Sequence, residues 1–169
     1  MKKLNQWIDR FAYSHPRFGI PNLMLYIVIA NAVTYILTLF AGAAALSFLE
    51  FDLYHVLHGE VWRLVTFVLL PFTYRPISLF IMLSFCYFVG GTLEREWGTA
   101  KFTLYYLSGM LFSVLSTVIL SLATGYYGWS LSDAYYINLT MFLAFAVMYP
   151  DAQVWFYGVI PLKAKWLAW

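Results

Sequence analysis

Apolar residues in this chain do not alternate with polar ones; they collect in long runs divided by short polar segments. The runs cover about residues 22–48, 77–93, 102–123 and 133–150. A helix needs about 20 mostly apolar residues to cross a hydrocarbon core of ~30 Å. The pattern therefore predicts an all-α fold, a polytopic membrane bundle with four full spans. The run Lys163-Ala164-Lys165-Trp166-Leu167-Ala168-Trp169 has the texture of the entry to a fifth span. The expectation is that the transmembrane domain, residues 22–169, is incomplete at its C-terminus.

The polar positions inside the runs are ordered too. Asn31, Thr34 and Thr38 fall at i, i+3 and i+7 and share one helical face. Gly109, Ser113, Thr117 and Ser121 repeat every fourth residue along the third run. Such stripes are expected to face other helices, where small side chains allow close approach. Residues 50–74 differ. Glu50, Asp52, His55, His58, Glu60 and Arg63 precede an apolar stretch that is too short to span and stops at Pro71. That texture predicts a re-entrant or interfacial segment. In residues 1–21, Leu4, Trp7, Ile8 and Phe11 fall on one helical face beside Lys2, Lys3, Arg10 and Arg17. This segment reads either as an amphipathic helix on an anionic membrane surface or as a loose basic tail.

Composition agrees with a membrane solvent. Of 169 residues, 63% are hydrophobic and 11% charged, against roughly half and a quarter in soluble domains. The net charge of +2 is too mild to imply nucleic acid as a partner. The single cysteine, Cys86, allows no internal disulfide. Eight of the ten Lys and Arg residues fall on alternate segments, which hold Lys2, Lys3, Arg10, Arg17, Arg95, Lys101, Lys163 and Lys165; Arg63 and Arg75 fall on the others. The positive-inside rule then predicts a cytoplasmic N-terminus. Compactness sets a prokaryotic plasma membrane as the expected location.

Candidate chemistry is sparse. Asp52, His55, His58 and Glu60 have a spacing that could bring two imidazoles and a carboxylate together. It is not a His-Glu-x-x-His pattern, and an exposed polar loop explains it; no metal and no cofactor are expected. Ser84, Ser108, Ser113, Ser116 and Ser121 lie in apolar runs that contain no histidine. A serine nucleophile needs a base within hydrogen-bond reach, so these serines read as packing residues. In Trp62-Arg63 the indole can anchor at the interface while the guanidinium bonds loop carbonyls or lipid phosphate.

Several segments, taken in order, resemble the rhomboid superfamily. Gly59-Glu60-Val61-Trp62-Arg63-Leu64-Val65-Thr66 is similar to the Trp-Arg segment of that family's half-submerged loop. Gly90-Gly91-Thr92-Leu93-Glu94-Arg95-Glu96-Trp97-Gly98, followed by Phe102, is similar to the end of its second helix and the turn into the third. Tyr149-Pro150-Asp151-Ala152 resembles the end of its fourth helix, and Ile160-Pro161 with Lys163–Trp166 resembles the approach to its fifth. The resemblance implies structural or interfacial roles for Trp62, Arg63, Glu94, Arg95, Trp97 and Gly98.

The resemblance also exposes a departure. Active rhomboids carry Gly-x-Ser-Gly at the start of the fourth helix. Aligned from Pro150, the serine position holds Tyr135, and the glycine positions hold Asp133 and Tyr136. The family's His-x-x-x-Asn pair, which helps hold the oxyanion, falls on Ser78 and Met82. Its general-base histidine belongs to a sixth helix beyond Trp169. The function expected is a rhomboid-like pseudoprotease that binds or regulates transmembrane client proteins in the lipid bilayer without cleaving them. Asn138 and Thr140 are the candidate contacts to a client helix, and no residue is expected to be catalytic. The alternatives are a rhomboid-family intramembrane serine protease and a transporter or channel component.

Overall fold

A computed structural model describes residues 18–42, 44–71, 73–125, 134–150, 153–156 and 160–163. The basic segment up to residue 17 and the 126–133 loop with Asp133 lie outside the described residues. Helix α1 is Leu23–Ala41. Two short helices follow, α2 (Ala44–Ser47) and α3 (Leu53–Leu57), then α4 (Arg63–Thr66) running directly into a 3-10 turn at Phe67–Leu69. The long helices α5 (Pro76–Trp97) and α6 (Thr99–Thr124) are joined through Gly98, and α7 is Ala134–Met148. The fold is an all-α membrane bundle, followed by a small antiparallel hairpin of β1 (Gln153–Phe156) and β2 (Ile160–Lys163).

The boundaries correct the expected spans at each place where local chemistry intervenes. The first run does not continue to residue 48, because Gly42 takes φ 77 and its N–H caps Thr38, which ends α1. The second span extends to Trp97, so Glu94, Arg95 and Glu96 form the last turn of α5 and the turn itself reduces to Gly98, with φ 82. The third span, expected from 102, begins at Thr99. Three helices, α1, α5 and α6, are long and apolar enough to cross a membrane. Within the described residues the fourth run gives a helix of 15 residues, about 22 Å long. Pro150 follows it and cannot donate to the helix. Ile160–Lys163 pairs as a strand with Gln153–Phe156, and the run expected to enter a fifth helix lies, after Lys163, outside the described residues.

Helix α5 is central and packs against α1, α6 and α7. A Cβ on Gly90 would stand 2.5 Å from Cγ of Met24, so glycine is what permits the α1–α5 approach. Gly109 plays the milder counterpart on α6, where an added Cβ would meet Ile137 of α7 at 3.3 Å. Ser113, Thr117 and Ser121 continue that stripe and are buried. Between α5 and α7, Phe85 meets Phe142 and Phe88 meets Phe145, with ring centroids 5.4 and 5.9 Å apart.

The polar face of α1 faces the re-entrant segment rather than another spanning helix. The Asn31 amide donates to the carbonyls of Ile27 (2.9 Å) and Val68 (3.0 Å). The Thr34 hydroxyl lies 2.6 Å from the Leu69 carbonyl. Pro71 explains why the Val68 carbonyl needs an outside donor. It stands three residues after Val68, where a 3-10 turn would supply an N–H, and it has none. Asn31 and Thr34 sit roughly 12 and 16 Å along α1 from Leu23, near mid-helix. The segment therefore dips toward membrane depth, where no water can satisfy an open carbonyl.

Asn31→Leu should lower the unfolding free energy by about 1–3 kcal/mol, because it leaves the Val68 carbonyl buried without a donor. Thr38→Val should change it by less than about 0.5 kcal/mol, since the Thr38 hydroxyl bonds only the Tyr35 carbonyl of its own helix. Thermal unfolding of the two variants in the same detergent checks the difference.

Candidate functional site

Arg63 organises the segment between α1 and α5. It is only 5% exposed. Its Nη1 donates to the carbonyls of Ser47 (2.5 Å) and Glu50 (2.8 Å), and its Nε reaches Glu60 Oε2 at 2.5 Å. The carbonyls lie at and just beyond the end of α2, a helix too short to satisfy its own terminus. The Phe48 ring lies 5.7 Å under the guanidinium and 5.1 Å from the Trp62 ring. Thr66 adds a bond to the Leu49 carbonyl at 2.9 Å. Of the two roles open to Arg63, the geometry selects loop carbonyls over lipid phosphate. Trp62 stays partly exposed, with a long 3.4 Å contact from its indole N–H to Phe48.

The Asp52–Glu60 group is dispersed into local bonds. Asp52 caps α3 by accepting from the Tyr54 N–H, and its second oxygen sits 2.7 Å from His55 Nδ1. His58 Nδ1 donates to the Tyr54 carbonyl at 2.7 Å, and Glu60 turns to Arg63. Among the described residues, no three His, Cys, Asp or Glu side chains gather as metal ligands.

The opposite end of the bundle is tied by carboxylates on the last turn of α5. Glu94 Oε1 accepts from the Asn22 N–H (2.8 Å) and from the Thr99 hydroxyl (3.2 Å), fixing the start of α1 and of α6. Asn22 needs this support because it holds φ 56, in the left-handed region. The Ile20 N–H donates to Thr103 Oγ1 at 3.1 Å. Glu96 Oε1 accepts from the Tyr149 hydroxyl at 2.6 Å, tying the end of α7 to the same turn. Trp97 packs edge-on against Tyr105. The sequence marked Glu94 through Gly98 as structural but gave no sign of which backbone each carboxylate would hold, because the partners are 72 and 53 residues away.

Tyr135 lies in the first turn of α7, half exposed, with its ring edge-on to Tyr136 at 5.6 Å. The Phe85–Phe142 and Phe88–Phe145 contacts keep one offset, so α5 and α7 run parallel. Two turns back, that offset sets Ser78 level with Tyr135 and Met82 level with Leu139. Ser78 is half buried, and Met82 packs on the core. All three histidines of the chain, His15, His55 and His58, fall outside α1, α5, α6 and α7. The serines divide into two groups. Ser84, Ser108 and Ser116 are exposed and donate to carbonyls of their own helices, correcting their reading as packing residues. Ser113 and Ser121 are buried, as packing requires.

The candidate client contacts need a correction. Asn138 is 6% exposed and gives its amide to the Ala134 carbonyl, so it faces the interior and not the lipid. Thr140 is at the surface, but its hydroxyl bonds the Ile137 carbonyl of its own helix. The groups that α7 offers outward near its start are the phenols of Tyr135 and Tyr136.

Three apolar membrane-length helices around a docked re-entrant segment define a multi-pass integral membrane protein of the helical class. The chain belongs to the family described as eukaryotic integral membrane protein (DUF1751), which matches residues 25–169. The eukaryotic family overturns the expected prokaryotic plasma membrane. No curated protein and no solved structure matches the chain.

Two outcomes follow from this geometry. Arg63→Met should destabilise the fold by about 1.5–3 kcal/mol and open the Ser47–Trp62 stretch to protease, and Arg63→Lys should rescue little, since a point charge cannot serve three acceptors in a fork. The Tyr149 phenol is held above the ordinary tyrosine range, first by its hydrogen bond to Glu96, then by burial and the Glu96 charge. A raised folded pKa gives stability that is full below the unfolded value of about 10 and lost above it. The stability gap between wild type and Tyr149→Phe should stay constant from roughly pH 6 to 9 and close as the pH rises past ~10, as read by denaturation midpoints.

Proposed function

We propose that this protein is a rhomboid-like membrane protein that binds other membrane proteins within the bilayer without cleaving them. The observation that carries the reading is Tyr135. In the rhomboid alignment it occupies the position of the nucleophile, and in the bundle it stands half exposed beside Tyr136, level with Ser78. Acyl transfer needs an activated nucleophile and donors aimed at the developing oxyanion. A phenol with no imidazole in any of the four apolar helices supplies neither. The reading is supported by the bonds these residues make: Arg63 donates to the Ser47 and Glu50 carbonyls, and Glu94 and Glu96 accept from Asn22 and Tyr149.

Binding would be lateral. Tyr135 and Tyr136 offer rings with a polar tip, a combination suited to the zone where an apolar helix meets water. A client helix with an unsatisfied polar group near its end would gain a hydrogen bond there. We assign Asn22, the α5–α6 turn and Tyr149 to the cytoplasmic side, because Arg95 and Lys101 lie at that end and Lys2, Lys3, Arg10 and Arg17 precede α1 in the sequence.

A photo-crosslinking residue at position 135 or 136 of the full chain, in native membranes, should capture transmembrane proteins that a probe at the lipid-facing Phe40 does not. The captured proteins should keep their full length on co-incubation with the purified protein, and a fluorophosphonate probe should leave it unlabelled. Cleavage of a captured protein that is lost on changing one intramembrane residue would overturn the reading, as would identical captures at positions 135, 136 and 40.

A further inference from the structure

A cavity of about 190 Å³ opens between the start of α1 and the last turns of α5, lined by Asn22, Tyr87, Gly91, Glu94, Arg95 and Thr99 among others. It lies at the end of two membrane-crossing helices, at the level where hydrocarbon gives way to headgroups. Tyr87 and Tyr26 are exposed on the helices that flank it. Arg95 is exposed, and no carboxylate pairs with it among the described residues. Glu94 spends one oxygen, Oε1, on Asn22 and Thr99, while Oε2 has no partner among the described residues. Gly91 leaves the cavity open: a Cβ there would meet nothing within 4 Å.

We propose that this cleft binds the headgroup of a zwitterionic glycerophospholipid that carries a primary amine, the ethanolamine class. The chemistry is a phosphodiester joined to a primary ammonium. Arg95 takes the phosphate, for which its fork of donors is suited. Glu94 Oε2 accepts from the ammonium, which has three donors to give. A trimethylammonium has no N–H for that oxygen, and a glycerol head brings hydroxyls but no cation to the Glu94 carboxylate, so it forgoes the charge-assisted bond. The acyl chains lie on the apolar flanks of α1 and α5. The exposed apolar flanks of α1 and α5 beside the cleft favour the lipid over a soluble phosphoethanolamine.

The test is lipid retention by the purified full chain, read by native mass spectrometry after reconstitution in equimolar dioleoyl phosphatidylethanolamine, phosphatidylcholine and phosphatidylglycerol. Wild type should retain the ethanolamine lipid about tenfold or more over the other two, the ratio expected of one charge-assisted hydrogen bond. Glu94→Gln keeps the acceptor for Asn22 and Thr99 but removes the charge, and it should erase the preference. Arg95→Gln should lower retention of both zwitterionic lipids. Gly91→Leu starts its side chain where a Cβ meets nothing within 4 Å, and it should abolish retention in a protein whose thermal unfolding shows that it still folds. Equal retention of the three lipids by wild type would overturn the proposal. So would a folded Gly91→Leu protein that retains the ethanolamine lipid normally, or full displacement by millimolar soluble phosphoethanolamine.

Discussion

A carbonyl buried in a membrane has no water to turn to, and this fold is arranged around two of them. The chain enters the bundle after α4, turns at Phe67–Leu69 and leaves at Pro71. That path opens the Val68 and Leu69 carbonyls, and the Asn31 amide and Thr34 hydroxyl close them from the middle of α1. Each open carbonyl would cost about 1–3 kcal/mol in a protein interior and several in lipid. The docked turn then fixes where the Arg63 loop sits, and Arg63 in turn holds the end of α2. Gly90 lets α1 lie close to α5, so the same helix that carries the donors is locked to the centre of the bundle.

The other end of the bundle is held by charge rather than by dipoles. Glu94 holds the starts of α1 and α6, and Glu96 holds the end of α7. Two carboxylates of one helical turn, Glu94 and Glu96, thus gather three other helices. Arg95 stands between them with no carboxylate partner among the described residues, which is why the cleft beside it can serve a lipid. At the far end, α7 begins with Tyr135 and Tyr136 turned outward, a surface that suits contact more than chemistry.

Much of this was legible in the sequence. The apolar runs located α1, α5, α6 and α7, because a membrane-length helix needs only length and apolarity to be seen. The polar face of Asn31, Thr34 and Thr38 and the short run ending at Pro71 were both visible; that the first answers the second was not, since periodicity names a face and not its partner. Gly42 cut the first span and Gly98 shortened the charged turn, both through a positive φ that the apolar pattern does not encode. Asn138 was expected to face a partner, but burial turned it inward. The hairpin of Gln153–Phe156 and Ile160–Lys163 was not read from the sequence, because its short strands leave no long periodic run. For the site, Tyr135, Ser78 and Met82 came only from the resemblance to rhomboids, and the common offset of the α5–α7 ring pairs sets Tyr135 level with Ser78.

The docked re-entrant turn is the claim on which the rest stands, and its depth can be measured directly. A spin label at the half-buried Leu70 and another at Val33, beside Thr34 on α1, can be compared in nanodiscs through their collisions with oxygen and with a water-soluble nickel chelate, with Leu57 as an exposed reference. The account predicts that the label at 70 matches the label at 33, open to oxygen and shielded from nickel. A label at 70 as open to nickel as the one at 57 would contradict it.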